Sequence, residues 1–256
     1  MRIDGNSVIV TGGAGGLGEA TVRRLHSGGA HVVVADVADE RSAALVKELG
    51  ERARHVHTDA SSSEDVLAAI AAAQDMGPLR AVVTAHAGPA IGGRLVGKDG
   101  SPLELDGFRT TLESYLTSTY NVMRLAAAAM AASEPEGDSG RGVIITTASI
   151  AAFEGQIGQL PYAAAKGGVT AMTLVAARDL AVRAIRVLTI APGTFFTPAF
   201  GMTEEEATTR FGAAIPHPPR MGRPAEYARL VESMIDNDYL NGETVRLDAA
   251  LRFPPK

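Results

Sequence analysis

A phenol, an ammonium and a hydroxyl stand at spacings that let them act on one carbonyl oxygen. Tyr162 and Lys166 bracket three alanines, and Ser149 lies thirteen residues upstream of the tyrosine. Residues four apart on a helix share a face, so Tyr162 and Lys166 can point the same way. An ammonium held near a phenol favours the phenolate and lowers the phenol's pKa. A tyrosine tuned toward neutral pH can act as a general acid or base. The same spacing also describes a partly buried aromatic beside a solvated lysine, so the pair takes its meaning from the rest of the chain.

A second chemical element lies near the start. Thr11-Gly12-Gly13-Ala14-Gly15-Gly16-Leu17-Gly18 joins a strand-like run to a helical one. Glycines there permit a tight turn and close approach to a pyrophosphate, and a helix N-terminus favours anionic charge. An acid, Asp36, ends the next strand-like run eighteen residues beyond Gly18. A carboxylate in that place can accept both hydroxyls of an adenosine ribose. It would repel a 2′-phosphate, so NAD is expected rather than NADP. Asp59, after the third strand-like run, could face the adenine, or could cap the helix that follows Ser61.

Positioning these groups needs a sheet whose strand ends converge. β-Branched runs at 7–11, 31–36, 54–58, 81–85, 143–147, 185–191 and 244–247 alternate with helical patterns at 17–28, 39–49, 63–76, 107–132, 162–181 and 225–236. Several runs are almost wholly apolar, as strands covered on both faces are. The alternation predicts an α/β fold built on a doubly wound parallel sheet with right-handed crossovers. Residues 88–106 are rich in glycine and charge and are expected on the surface. Residues 193–222 carry prolines 198, 216, 218 and 219 and are expected to form a mobile substrate loop. Within them Thr203 and three glutamates read as a helix start. No linker divides the 256 residues, so one domain is expected.

Composition narrows the classes of function. Net charge is −5 and the pI about 5.7, which argues against a general nucleic-acid binder. The chain has no cysteine, which excludes disulfides, thiolate metal sites and cysteine nucleophiles and is compatible with a cytoplasmic setting. A strand-like run so near its start predicts no signal peptide, and its most apolar helical run, 125–132, is expected to be too short to span a bilayer. The six histidines form no metal-ligand pattern, so no metal is expected. His86 is singled out because it follows the fourth strand at the cofactor edge.

Together, the 11–18 turn, Asp36, Ser149, Tyr162, Lys166 and Pro192-Gly193 resemble the short-chain dehydrogenase/reductase family over essentially the whole chain. Residues 151–159, Pro218-Pro219-Arg220 and Leu240-Asn241-Gly242-Glu243 are similar to its type 2 3-hydroxyacyl-CoA dehydrogenases. The resemblance implies a Rossmann-type domain that interconverts a secondary alcohol and a ketone with NAD. Ser149 would bond the substrate oxygen, Tyr162 would exchange the proton, and Lys166 would bind the nicotinamide ribose and lower the tyrosine's pKa. Thr11, Gly12, Gly16, Leu17, Gly18, Asp36, Asp59, Ala60, Ala87, Gly88, Pro192, Gly193, Thr194 and Thr197 would line the cofactor, with Tyr162 and Lys166. Thr194 and Thr197 would meet the nicotinamide carboxamide. Gln156 would lie near the substrate, or would be a loop residue bonded to backbone. A small-molecule substrate and a homodimer or homotetramer are implied, with neither nucleic acid nor membrane as partner.

Two positions depart from the family's pattern. Its Asn-x-Ala-Gly is here Ala85-His86-Ala87-Gly88. Its catalytic asparagine on the long helix, which holds a water continuing the proton path from Lys166, aligns with Tyr115; Asn121 lies too far along to replace it. Three explanations stand at this level: a rewired proton relay, an alignment shifted across 88–111, or a dinucleotide-binding regulator or scaffold without strong catalysis. The intact Ser149, Tyr162 and Lys166 favour the first.

Overall fold

The computed structural model describes residues 1–197 and 201–255; Pro198 of the expected substrate loop lies outside them. Seven parallel strands form one sheet in the order β3-β2-β1-β4-β5-β6-β7. They are β1 (Ser7–Thr11), β2 (His31–Asp36), β3 (Ala53–His57), β4 (Leu79–Thr84), β5 (Gly142–Thr147), β6 (Ile185–Pro192) and β7 (Thr244–Leu247). The helices are α1 (Gly16–Ser27), α2 (Asp39–Leu49), α3 (Ser63–Met76), α4 (Leu105–Leu112), α5 (Ser118–Ala131), α6 (Ala151–Glu154), α7 (Leu160–Ala181), α8 (Glu204–Phe211) and α9 (Pro224–Asp236). The expected doubly wound α/β sheet is present, with β1, β2 and β7 at their expected bounds and the others within two residues.

Alternate residues of each strand feed opposite cores. Val8, Val10, Val32 and Val34 pack with Val22 and Leu25 of α1 and Tyr227, Val231 and Met234 of α9. Ile9, Val33 and Ala35 pack on the other face with Val66 and Ile70 of α3 and Val122, Ala126 and Met130 of α5. Both faces are therefore dry, which is why the central strands read as unbroken apolar runs.

The expected helix over 107–132 is not one helix. Between α4 and α5 runs a π-turn, Glu113–Thr117, with Tyr115 at its centre. A 3.6-residue pattern cannot reveal the wider turn, because both flanks keep helical periodicity. α6 is an additional short helix. α8 begins as expected, with Thr203 and Glu206 forming a reciprocal capping box.

Subgroup-like residues Leu240 to Glu243 serve the sheet. The Asn241 side chain accepts from Val187 N at 2.9 Å, and Gly242 N and Thr189 N bond across the same seam. Beyond β7, Ala249 and Ala250 hold φ of 52° and 62°. The left-handed region costs an alanine about 1–2 kcal/mol, part of which glycine returns through its freer unfolded chain. Ala249→Gly is expected to stabilise the protein by about 1 kcal/mol, read as a rise of about 2–4 °C in a thermal melt. An unchanged or lower midpoint would refute the strain.

Candidate active site

Strand order reverses between β1 and β4, and the crevice outside their carboxyl ends is where α/β sheets hold ligands. A cleft of about 680 Å³ opens there. Of the expected cofactor residues, Gly12, Gly16, Leu17, Asp36, Asp59, Ala60, Ala87, Gly88 and Thr197 line it.

The glycine-rich turn is shaped by close backbone approach. Gly12 has φ +68°, and a Cβ there would meet His86 Cα at 2.5 Å. A Cβ on Gly18 would lie 2.0 Å from Gly12 O. The N-terminal end of α1 has no side-chain cap, since its N-cap is Gly15, leaving backbone donors toward the cleft. This cradle fits a pyrophosphate. Asp36 is almost buried and accepts from Ala14 N and Ala38 N, both at 2.9 Å. Each oxygen keeps acceptor capacity for a further donor. Asp59 accepts from Ser61 N and Ser61 Oγ while facing the cleft, so it performs the turn-capping role and borders the ligand space at once. Asn121 does not approach the chemistry; its amide donates to Ala60 O at 3.0 Å, tying α5 to the cleft's floor.

Ser149, Tyr162 and Lys166 come together beside this cleft. Ser149 follows β5, with Ala151 N donating to its hydroxyl at 3.1 Å. Tyr162 stands in the first turn of α7, where Pro161 starts the helix. Ser149 lies close enough to Tyr162 to favour the phenolate. Lys166, one turn on and 4% exposed, donates to Thr147 O at 2.7 Å. Its Nζ is 5.9 Å from the Tyr162 ring centre.

The electrostatics differ from the sequence expectation. Burial pushes the Tyr162 phenol up to about 12; the Ser149 hydroxyl opposes this and Tyr115 adds to it. Burial pushes Lys166 down to about 7. The expected lowering of the phenol by the ammonium is thus outweighed by desolvation of both groups.

Tyr115 is 8% exposed and donates its hydroxyl proton to Gly88 O at 2.7 Å. Its ring meets Tyr162 edge-on, centres 5.2 Å apart at 87°. His86 bridges Thr11 Oγ1 at 2.7 Å and Ser118 Oγ at 2.9 Å. Ser118 donates its own proton to Ser114 O, so it accepts from His86 Nε2–H, and Nδ1 accepts from Thr11. Burial, then the Lys166 charge, pushes His86 down to about 4, consistent with a neutral ring. The serine partner of His86 could not be found by motif, because it is distant in sequence and on another element.

Other expected residues lie further out. Thr11 and Gly18 act behind the cleft wall. Pro192 O accepts from Ile150 N, and Gly193 sits so close to Asp248 that a Cβ would be 2.9 Å from its Cα. Thr194 lines a neighbouring cavity of about 280 Å³ with Phe195 and Leu247. Gln156 donates to Pro254 O at 3.3 Å and also lines an open groove of about 590 Å³ with residues 93–96 and 155–160. Sequence reasoning missed Val37, Arg41 and Ser118, which line the cleft. Among the described residues, no cluster of acids and histidines could hold a metal ion, and no helix is long and apolar enough to cross a membrane.

Known proteins resemble this chain in sequence and in fold. The family profile described as short chain dehydrogenase matches residues 6–208. The 3-hydroxyacyl-CoA dehydrogenase type-2 of Homo sapiens is 43% identical over 99% of this chain and 97% of its own. That of Drosophila melanogaster is 44% identical over 96% and 97%. A crystal structure of the type-2 enzyme from Mycobacterium avium superposes with a TM-score of 0.97 at 53% identity, covering 100% of this chain and 99% of that one. A 7α-hydroxysteroid dehydrogenase bound to NADH and 7-oxo glycochenodeoxycholic acid gives 0.84 at 25% identity, covering 100% and 97%. With the sheet, the phosphate turn and the serine–tyrosine–lysine cluster all accounted for, this chain belongs to the short-chain dehydrogenase family and is an oxidoreductase.

Proposed function

We propose that this protein is an NAD-dependent dehydrogenase interconverting a secondary alcohol and a ketone, with the 3-hydroxyacyl-CoA/3-oxoacyl-CoA pair as its substrate class. The observation that carries it is the grouping of Ser149, Tyr162 and Lys166, the lysine one turn behind the tyrosine, beside a cleft fitted to a dinucleotide. When bound, the nicotinamide supplies or accepts the hydride. Ser149 donates to the substrate oxygen and steadies its developing charge. Tyr162 gives its proton to that oxygen during reduction and takes it back during oxidation. Lys166 would hold the nicotinamide ribose and favour the phenolate. Gly12, Gly16, Leu17 and the backbone behind them would hold the pyrophosphate. Ala87, Gly88, Pro192, Gly193, Thr194 and Thr197 would border the rest of the cofactor.

The acyl-CoA reading rests on the type-2 relatives and on the groove, where Leu95, Val96, Ile157 and Leu160 offer an apolar wall near Gln156. We take the chain to work as one domain with residues 193–222 as its substrate loop. Exposed Tyr120 on α5 and Leu174 and Val175 on α7 fit burial in a homodimer or homotetramer. A cytoplasmic setting fits the cysteine-free sequence.

NADH formation from 3-hydroxyacyl-CoA thioesters of graded chain length tests the reading, with a hydroxysteroid and a simple secondary alcohol as rivals. Turnover of the rivals alone would move the substrate class. Cofactor choice has its own test. Asp36→Ala removes the ribose acceptor and leaves Arg41 lining the same cleft. The variant is expected to lose about tenfold or more in kcat/KM for NAD and to lose less with NADP. Equal losses with both would refute Asp36 as the selector.

A further inference from the structure

We propose that Tyr115 is a positioning residue that holds the Lys166 ammonium with the face of its ring, so that proton transfer here works against an aromatic wall. The proposal rests on the oxidoreductase mechanism above and concerns a residue that the mechanism does not otherwise use.

Three contacts fix the ring. Its hydroxyl is bonded to Gly88 O, its ring meets Tyr162 edge-on, and Lys166 Nζ lies 4.8 Å from its centre. An ammonium has three donors. One goes to Thr147 O. The negative face of an aromatic ring attracts a cation within about 6 Å, most strongly where water is excluded. Among the described residues no carboxylate forms an ion pair with Lys166; of the two ring faces near the ammonium, that of Tyr115 at 4.8 Å is closer than that of Tyr162 at 5.9 Å.

The hydroxyl of Tyr115 does not continue a proton path. Its single proton is committed to a backbone carbonyl, which cannot pass a proton on, and no hydrogen bond joins it to Lys166. The route behind Thr147 is closed in the same way. The Thr147 hydroxyl donates to Thr84 O, so the Tyr227 hydroxyl donates into Thr147.

The docking of the ring is specific. Gly88 lies so close that a Cβ would be 2.9 Å from Ser114 Cβ, and one on Gly168 would be 2.8 Å from Leu116 Cδ1. Two glycines thus allow the π-turn to close on both the β4 extension and α7. The His86–Ser118 bond pins its far end.

The groups facing Lys166 determine the direction of a pH effect. They are Tyr162 on its own helix, Tyr115 on the π-turn, His86 on the β4 extension, and Tyr227 of α9 behind Thr147. Tyr115 is kept protonated by burial, His86 is neutral, and neither competes for the ammonium's proton. Removing the ring face favours neutral lysine. The Lys166 ammonium therefore gives up its proton at a lower pH than in the parent, while Tyr162, held up to about 12, is still protonated there.

The test compares the parent with Tyr115→Phe and Tyr115→Leu. Tyr115→Phe keeps the face and is expected to leave the Lys166 titration midpoint within about 0.3 pH unit of the parent's. Tyr115→Leu is expected to lower that midpoint by about one unit, with NADH affinity within about threefold by fluorescence. Equal behaviour of the two variants, or an unmoved midpoint in Tyr115→Leu, overturns the proposal. If Tyr115→Leu fails to fold, progressively fluorinated phenylalanines at 115 keep the ring's shape while draining its face. Their midpoints should fall stepwise, and a flat series overturns the proposal. Lysine titration by NMR reads these midpoints without turnover. The Lys166 midpoint should be lower in Tyr115→Leu than in the parent, and an equal midpoint overturns the proposal even if the parent lacks the activity assigned above. Loss of Tyr162-dependent turnover in the parent, with the lysine midpoints still separated, would instead count against the mechanism alone.

Discussion

Replacing Tyr162 with phenylalanine is expected to cut turnover by about 10²–10⁴-fold while NADH affinity stays within about threefold of the parent. The variant keeps the ring that Tyr115 touches and leaves the Lys166–Thr147 bond untouched, so the cofactor cleft should survive. It removes the proton that the substrate oxygen exchanges, and leaves the Ser149 hydroxyl in place. The pH dependence of the parent follows from the same group. Burial holds the phenol up to about 12, so at neutral pH it carries its proton. Ketone reduction should therefore proceed at neutral pH and decline as the phenol ionises. Alcohol oxidation, which begins by taking a proton, should rise with pH instead. Stopped-flow single turnovers in both directions, with a parallel fluorescence titration, separate chemistry from binding. A Tyr162→Phe enzyme within tenfold of the parent would remove the tyrosine from the mechanism.

Gly18→Ala should damage the other half of the site. The new methyl would lie 2.0 Å from Gly12 O and 2.7 Å from Gly12 C, both backbone atoms. Nothing at the end of a flexible side chain can yield, so the turn itself must move. Overpacking of this kind costs roughly 1–3 kcal/mol. If that displacement falls on the phosphate-binding backbone, dinucleotide affinity should weaken by about 10–100-fold. The measurement is an NADH titration with a thermal melt beside it. A variant that binds NADH as the parent does would show that the turn can relax without losing its grip.

The sequence was most legible where one physical requirement dominated. Central strands buried on both faces announced themselves as runs of valine and isoleucine, and helix periodicity located α2 and α3. Asp36 and the glycine turn could be read together because spacing ties an acid at one strand's end to a turn at another's. Legibility failed where the deciding partner was remote in sequence. The Ala14 backbone donor to Asp36, the serine that fixes the tautomer of His86, and the Gly88 carbonyl that orients Tyr115 all come from tertiary contact. The expected tuning of Tyr162 by Lys166 ran opposite to the structure for a related reason. Spacing shows that two groups are close, but not how much water both have lost.

The π-turn is also a joint in angular phase. Each residue of an α-helix advances its side chain by about 100° around the axis. The wider turn at Glu113–Thr117 takes up an added residue without carrying that full rotation forward. Upstream of α5, Tyr115 is thereby directed at α7, while downstream Val122, Ala126 and Met130 are directed at the sheet. Straightening the segment into a regular α-helix with every residue kept would turn one set against the other by a little over a quarter of a revolution. The stretch from Leu105 to Ala131 therefore has two independent settings, one for packing and one for chemistry, and the joint between them fixes the difference.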